Sequence, residues 1–256
     1  MTMKKILVLA LACVLAFALV ACGDDAVVTT NAPETTEAPV VTTEAPVETT
    51  AAPAAEVMSY AEYAAADLDT PVVIEAYVQA HQSWWDNKIT VYAADKDGAY
   101  FLYEMACSEE DAAKLTPGTK IRVTGYKGAW AGEVEVMDAT FEFVDGDTYV
   151  AEPIDATALL GTDELINYQN QLATFKGMTV EAIEFKNGEP GDDIYVTVAK
   201  DGASYDFCVE RYLIDPETDV YKTVSELKAG DVVDIEGFIY WYEGVNTHIT
   251  AVAAAE

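Results

Sequence analysis

The chain has 256 residues and is strongly acidic, with 45 Asp and Glu against 14 Lys and Arg and a formal net charge of −31. No segment is basic. Composition therefore argues against nucleic acid as a partner, because phosphate backbones are bound by neutralising them with Lys and Arg, and it argues against adsorption to acidic headgroups. The four cysteines make neither a disulfide framework nor a thiolate zinc site, and no metal or cofactor is expected.

At the N-terminus, Lys4 and Lys5 precede an apolar run from Ile6 to Ala21. The run is short for a membrane span, no charged anchor follows it, and small residues close it, which predicts a cleavable export signal over 1–21. Its end, Leu19-Val20-Ala21-Cys22, resembles the lipobox of bacterial lipoproteins. That resemblance implies cleavage before Cys22, acylation of its thiol, and a place on the outer, extracytoplasmic face of the cell membrane. Membrane contact would then be through the lipid anchor only. Residues 22–57 are built from Thr, Glu, Ala, Pro and Val, with Thr-Thr-Glu-Ala-Pro at 35–39 and again at 42–46. A stretch with so little to bury is expected to be a disordered tether, stiffened by proline and like charge.

The rest is a duplication. Leu115, Gly118, Ile121, Val123 and Gly125 recur as Leu227, Gly230, Val233, Ile235 and Gly237, each 112 residues on. Trp130 and Trp241 follow the two copies. The repeat predicts two domains, 58–150 and 151–256. In the first, Ser59 and Glu62 form a capping box ahead of a short helix. Val72 to Val78 alternates with the period of a strand, and Ile89, Val91 and Ala93 make a second. Asp95 to Gly98 reads as a hairpin turn with glycine at positive φ. Tyr100 to Ala106 is a third strand, Ser108 opens a short helix, and Lys120–Tyr126 and Glu133–Phe143 are the fourth and fifth strands. In the second copy, Thr162 with Asp163 and Glu164 is expected to open the leading helix. Cys107 and Cys208 are expected as buried thiols on strands, with pairing across the domains left open.

Five strands with a helix between the third and fourth is the order of the OB-fold. The Leu-x-x-Gly-x-x-Val-x-Val-x-Gly element resembles the one that enters strand four of OB-fold domains in the nucleic-acid-binding superfamily. The whole chain also resembles tandem-OB lipoproteins of anaerobic Gram-positive bacteria, a resemblance that supplies no activity. The expected fold is all-β with short helices: two tandem OB-fold-like five-stranded Greek-key barrels behind a signal peptide and a disordered linker.

OB-folds take ligands on the face of strands two and three, between the 1–2 and 4–5 loops. On that scheme Trp84, Trp85, Tyr92 and Trp130 of the first copy, with Tyr240 and Trp241 of the second, are the candidate ligand-binding residues. Trp84 and Trp85 have no counterpart in the second copy and are the preferred pair. The alternative is that the tryptophans cap the barrel ends or pack the domains together. No catalytic site is expected. His81 and His248 fall in different domains, Asp95 and Asp97 read as turn residues, and Arg122 and Arg211 stand alone. The sequence therefore points to a lipid-anchored extracytoplasmic protein that binds a glycan or an exported protein, or else to a structural spacer or adaptor of an envelope assembly.

Overall fold

The computed structural model describes residues 56–255. The expected signal segment, Cys22 and nearly all of the expected tether lie outside those residues. Helix α1 (Tyr60–Ala65) leads into β1 (Pro71–His81), β2 (Lys88–Ala94), β3 (Ala99–Ala106), α2 (Glu109–Ala112), β4 (Lys120–Trp130) and β5 (Glu133–Phe143). These strands close in the order β1-β2-β3-β5-β4, with β4 pairing back onto β1. A short strand β6 (Ile154–Asp155) precedes β7 (Leu172–Phe185), β8 (Ile194–Lys200), β9 (Ala203–Val209), α3 (Asp219–Glu226), β10 (Val232–Phe238) and β11 (His248–Ala254). Here β10 pairs with β7, so the order β7-β8-β9-β11-β10 repeats the first barrel, and β6 adds a parallel edge to β7. In both, the third strand meets the fifth in a short parallel contact. The fold is mostly β with short helices and OB-fold topology. Among the described residues no helix is long and apolar enough to cross a membrane.

The repeated glycines have a shared physical cause in each copy. Gly118 and Gly230 have φ of +89° and +96°, a region that L side chains resist. Their amides donate to Val78 and Val180 carbonyls, both at 2.8 Å, which fastens the turn to the first strand of each barrel. Gly125 and Gly237 sit where the fourth strand crosses the fifth at a register shift. A Cβ on Gly125 would lie 2.7 Å from Met137 O, and one on Gly237 would strike the His248 carbonyl. Barrel closure needs that close approach of backbones.

The turn glycine Gly98 has a different cause from the one expected. It is not at positive φ. Instead the Tyr60 ring lies where its side chain would be, so α1 packs directly on the β2–β3 hairpin. Asp95 makes the turn through its own carboxylate, which accepts from the amides of Asp97 (2.7 Å) and Gly98 (2.8 Å). The Ser59–Glu62 capping box is formed. Lys127, buried, ends α1 by donating to the carbonyls of Tyr63 (3.0 Å), Ala64 (2.8 Å) and Ala66 (2.8 Å). Before the second barrel, the expected α-helix is replaced by 3-10 turns at Thr157–Leu159 and Leu165–Tyr168. Thr162 does not cap either; its hydroxyl donates backwards to Leu159 O (2.8 Å). Cys107 and Cys208 are free and buried.

Each barrel has its own apolar core, and a third cluster joins them. Tyr92 on β2 stacks on Phe238 at the end of β10, centroids 4.2 Å apart and planes 6° from parallel. Phe101 on β3 packs against Tyr92 (5.0 Å) and Tyr240 (5.3 Å). Tyr92 Oη and His248 Nδ1 share a hydrogen bond of 2.8 Å. Burying these rings contributes about 1.5–3 kcal/mol each and the hydrogen bond about 1, so apolar contact dominates the junction.

Substituting Gly125→Ala should lower unfolding stability by about 1–3 kcal/mol, because neither strand has room for the methyl group. Urea unfolding followed by far-ultraviolet circular dichroism measures this, and an unchanged midpoint would show that the strands separate freely at the crossing.

Candidate functional site

The junction decides which of the candidate aromatics remain available. Tyr92, expected to project from an open face, is 0 % exposed. The β2–β3 face that carries ligands in OB-folds is covered in the first barrel by Phe238, Tyr240 and His248 of the second, so Tyr92 is an interface residue. Tyr240 is half-buried in the same cluster, stacked on His248 at 4.2 Å. Trp241 packs against the second core, and its Cδ1 would lie 2.7 Å from a Cβ on Gly132. The 4–5 loops of the two barrels therefore meet each other, tied by Glu243 N donating to Ala131 O at 2.7 Å. Trp130, the repeat partner of Trp241, is 61 % exposed on the outside of that contact.

The 1–2 loop of the first barrel is different. Asp86 and Asn87 have φ of +47° and +60°, the signature of a tight type I′ hairpin, and Trp85 and Lys88 exchange backbone hydrogen bonds of 3.0 and 2.9 Å across it. Trp85 is 78 % exposed on this braced turn. Its neighbour Trp84 is partly buried: it packs on the first core and its Nε1 donates to Cys107 O at 2.9 Å. The expected pair is thus divided into one presented ring and one anchoring ring.

Across from them runs the segment after β9. Ser83 N donates to Tyr212 O at 2.6 Å, and its hydroxyl donates to the same oxygen at 3.2 Å. Between the two segments lies a groove of about 560 Å³ lined by Trp84, Trp85, Thr90, Glu104, Arg211 and Tyr212, among others. Tyr212 is half exposed and carries the Arg211 guanidinium 5.0 Å above its ring. Lys88 and Glu104 pair at 2.6 Å on the groove wall. Sequence reasoning found Trp84 and Trp85 but missed Arg211 and Tyr212, because they come from the other repeat and no local pattern marks them.

One buried carboxyl completes the junction. Glu133, at the start of β5, is fully buried, and its Oε2 accepts from Trp241 N at 2.8 Å. Burial pushes its pKa up to about 8, against the pull of the Asn170 and Trp241 amides, with Glu135 adding a like charge. His248 is moved the other way, to about 4, also by burial. Both groups are therefore neutral near pH 7.

The native state keeps the Glu133 proton after the unfolded chain has lost it. Its contribution is present below about pH 4.5 and lost as pH rises to about 8. The His248 contribution is present above 6.5 and lost as pH falls through about 4, so the two oppose each other between 4.5 and 6.5. Glu133→Gln, which keeps a neutral acceptor for the Trp241 amide, should gain stability relative to the unsubstituted chain from pH 6 to 8, by at most about 1.4 kcal/mol per pH unit. Parallel stability–pH curves for the two proteins would show that Glu133 is ionised in the fold.

The sequence matches no protein-family model and no curated protein. Similar solved structures include a murine DNA-binding protein bound with double-stranded DNA, 13 % identical, covering 73 % of this chain and 96 % of that one, with a TM-score of 0.36. A replication protein A heterotrimer bound to single-stranded DNA is 11 % identical and covers 73 % of this chain and 49 % of that one, with a TM-score of 0.30. The OB-fold assignment rests on the strand order of the barrels themselves. The expectation that nucleic acid is an unlikely partner is corrected by these neighbours, which were solved with DNA on them. Net charge is a sum over the whole surface and does not decide what a local groove accepts. The correction assigns no ligand.

Proposed function

We propose that the protein is an extracytoplasmic binding protein, held at the cell membrane by a lipid on Cys22, whose inter-barrel groove takes a glycan. The observation that carries the reading is Trp85: a large ring, 78 % exposed, on a hairpin whose backbone is fastened on both sides. Leaving such a ring in water is unfavourable, and a rigid ring loses little entropy when a flat apolar sugar face settles on it. Tyr212 offers a second ring, and Gln82 and Ser83 supply polar atoms for hydroxyl groups along the same groove. An extended glycan segment suits a groove of this shape, and an exported protein is the second ligand class it fits. No step of this reading calls for catalysis.

A spacer or adaptor role is favoured by one observation of its own. The Tyr92–Phe238 stack buries the usual ligand face and makes the two barrels a single braced body, as a spacer requires.

The test is binding of the full chain, in detergent, to cell-wall glycans, exported proteins and DNA of both strand types. Trp85→Ala should weaken glycan binding about tenfold or more while changing stability by no more than about 0.5 kcal/mol, since the ring is exposed. Glycan binding indifferent to Trp85 would remove the groove from the function. Absence of every ligand would leave the spacer role. Cys22→Ser should release the protein from the membrane fraction.

A further inference from the structure

The groove holds an uncompensated cation. Among the described residues Arg211 makes no ion pair and no side-chain hydrogen bond, and its Nε is buried without a partner. In a chain with 45 acidic residues this calls for a cause. Arg122, the only other arginine, shows the usual outcome: its guanidinium binds Glu75 at 2.6 Å and Glu142 at 2.9 Å. Three acids beside Arg211 are already engaged. The two oxygens of Glu210 accept from the amides of Tyr212 (3.1 Å) and Leu213 (2.9 Å). Asp193 accepts from the Arg211 backbone amide (3.0 Å) and from Lys186 (2.8 Å). Glu104 is bound by Lys88 at 2.6 Å.

The ionisable side chains that line the groove are Lys88 and Arg211 against Glu104 alone, one positive charge over, and the carrier is a planar fork of donors beside the Tyr212 ring. Leaving a half-buried guanidinium unpaired is costly, and the cost is recovered when an anion arrives. A carboxylate meets the fork with two parallel charge-assisted hydrogen bonds and brings the single negative charge that balances it.

We infer that the ligand of this groove is an acidic saccharide, whose carboxylate is held by Arg211 while its ring face rests on Trp85. The inference rests on the glycan reading of the groove and adds the charge of the sugar. It also gives the second barrel a part in recognition: the first barrel presents the aromatic platform, and the second selects for charge.

The experiment uses the full chain in detergent and two pairs of probes: trisaccharides of galacturonate and of glucuronate, each with its uncharged methyl ester. Binding is read by calorimetry and by Trp fluorescence. The acid form of at least one pair should bind about tenfold more tightly than its ester, and the preference should weaken as salt is raised. Arg211→Gln should abolish the preference, so that acid and ester bind alike. Glu104→Gln, which frees Lys88, should tighten binding of the acid form only, and this second variant keeps the inference testable if Arg211→Gln misfolds.

Equal binding of acid and ester, with Trp85→Ala weakening both, would overturn the acidic-sugar inference and leave the glycan reading standing. No binding of either form of either sugar would overturn the acidic-sugar inference, and the glycan reading falls with it if cell-wall glycans fail to bind as well. Arg211-dependent binding of a deoxythymidine oligomer, with no saccharide bound, would overturn both in favour of a phosphodiester ligand.

Discussion

The structure turns on the contact between Tyr92 and Phe238. A ring on the exposed face of an OB barrel would ordinarily face solvent or ligand. Here it is stacked at 4.2 Å on a ring from the next barrel, with its hydroxyl shared with a buried neutral histidine. That burial fixes the angle and distance between the two barrels, and three other features exist only because of it. The 4–5 loops are brought together so that Trp241 closes over Gly132. The Glu133 carboxyl is sealed from water and kept protonated. The segment after β9 is laid beside the 1–2 hairpin, which creates the groove.

The two copies have kept the same closing devices and diverged in what they present. Both use a left-handed glycine to enter the fourth strand and a second glycine where the fourth strand crosses the fifth. These are steric requirements of a small closed barrel, so neither copy can lose them and remain closed. The 1–2 loops carry no such requirement. In the first copy the loop is a tight hairpin bearing Trp85; in the second, the loop from Lys186 to Asp193 carries no large ring. The 4–5 loop of the second copy has become the bracket that holds the first. Duplication supplied two barrels, and the loops divided the tasks of presenting a surface and bracing it.

Electrostatics in this protein are local rather than global. The net charge of −31 describes a solvated exterior, yet the interior junction is neutral because burial moves Glu133 and His248 in opposite directions. The groove is positive by one charge because its lining sets Lys88 and Arg211 against Glu104 alone. The net charge averages over all three environments and describes none of them.

The sequence by itself determined what is local or periodic. Strand alternation, the capping box at Ser59, the Asp95 turn and the 112-residue repeat are all written in neighbouring residues, and they were enough for two OB-type barrels. The repeat also marked Gly118, Gly125, Gly230 and Gly237, though not why each is needed, since a backbone crossing involves strands distant in the chain. Tertiary structure alone decided the fate of the aromatics. Trp84 and Trp85 are adjacent and chemically alike, yet one anchors and one is presented. Tyr92 was hidden by a partner some 150 residues away. Arg211 and Tyr212 joined the groove without any motif. Burial and ion pairing depend on which surfaces meet, and a linear pattern carries no record of that meeting until the chain has folded.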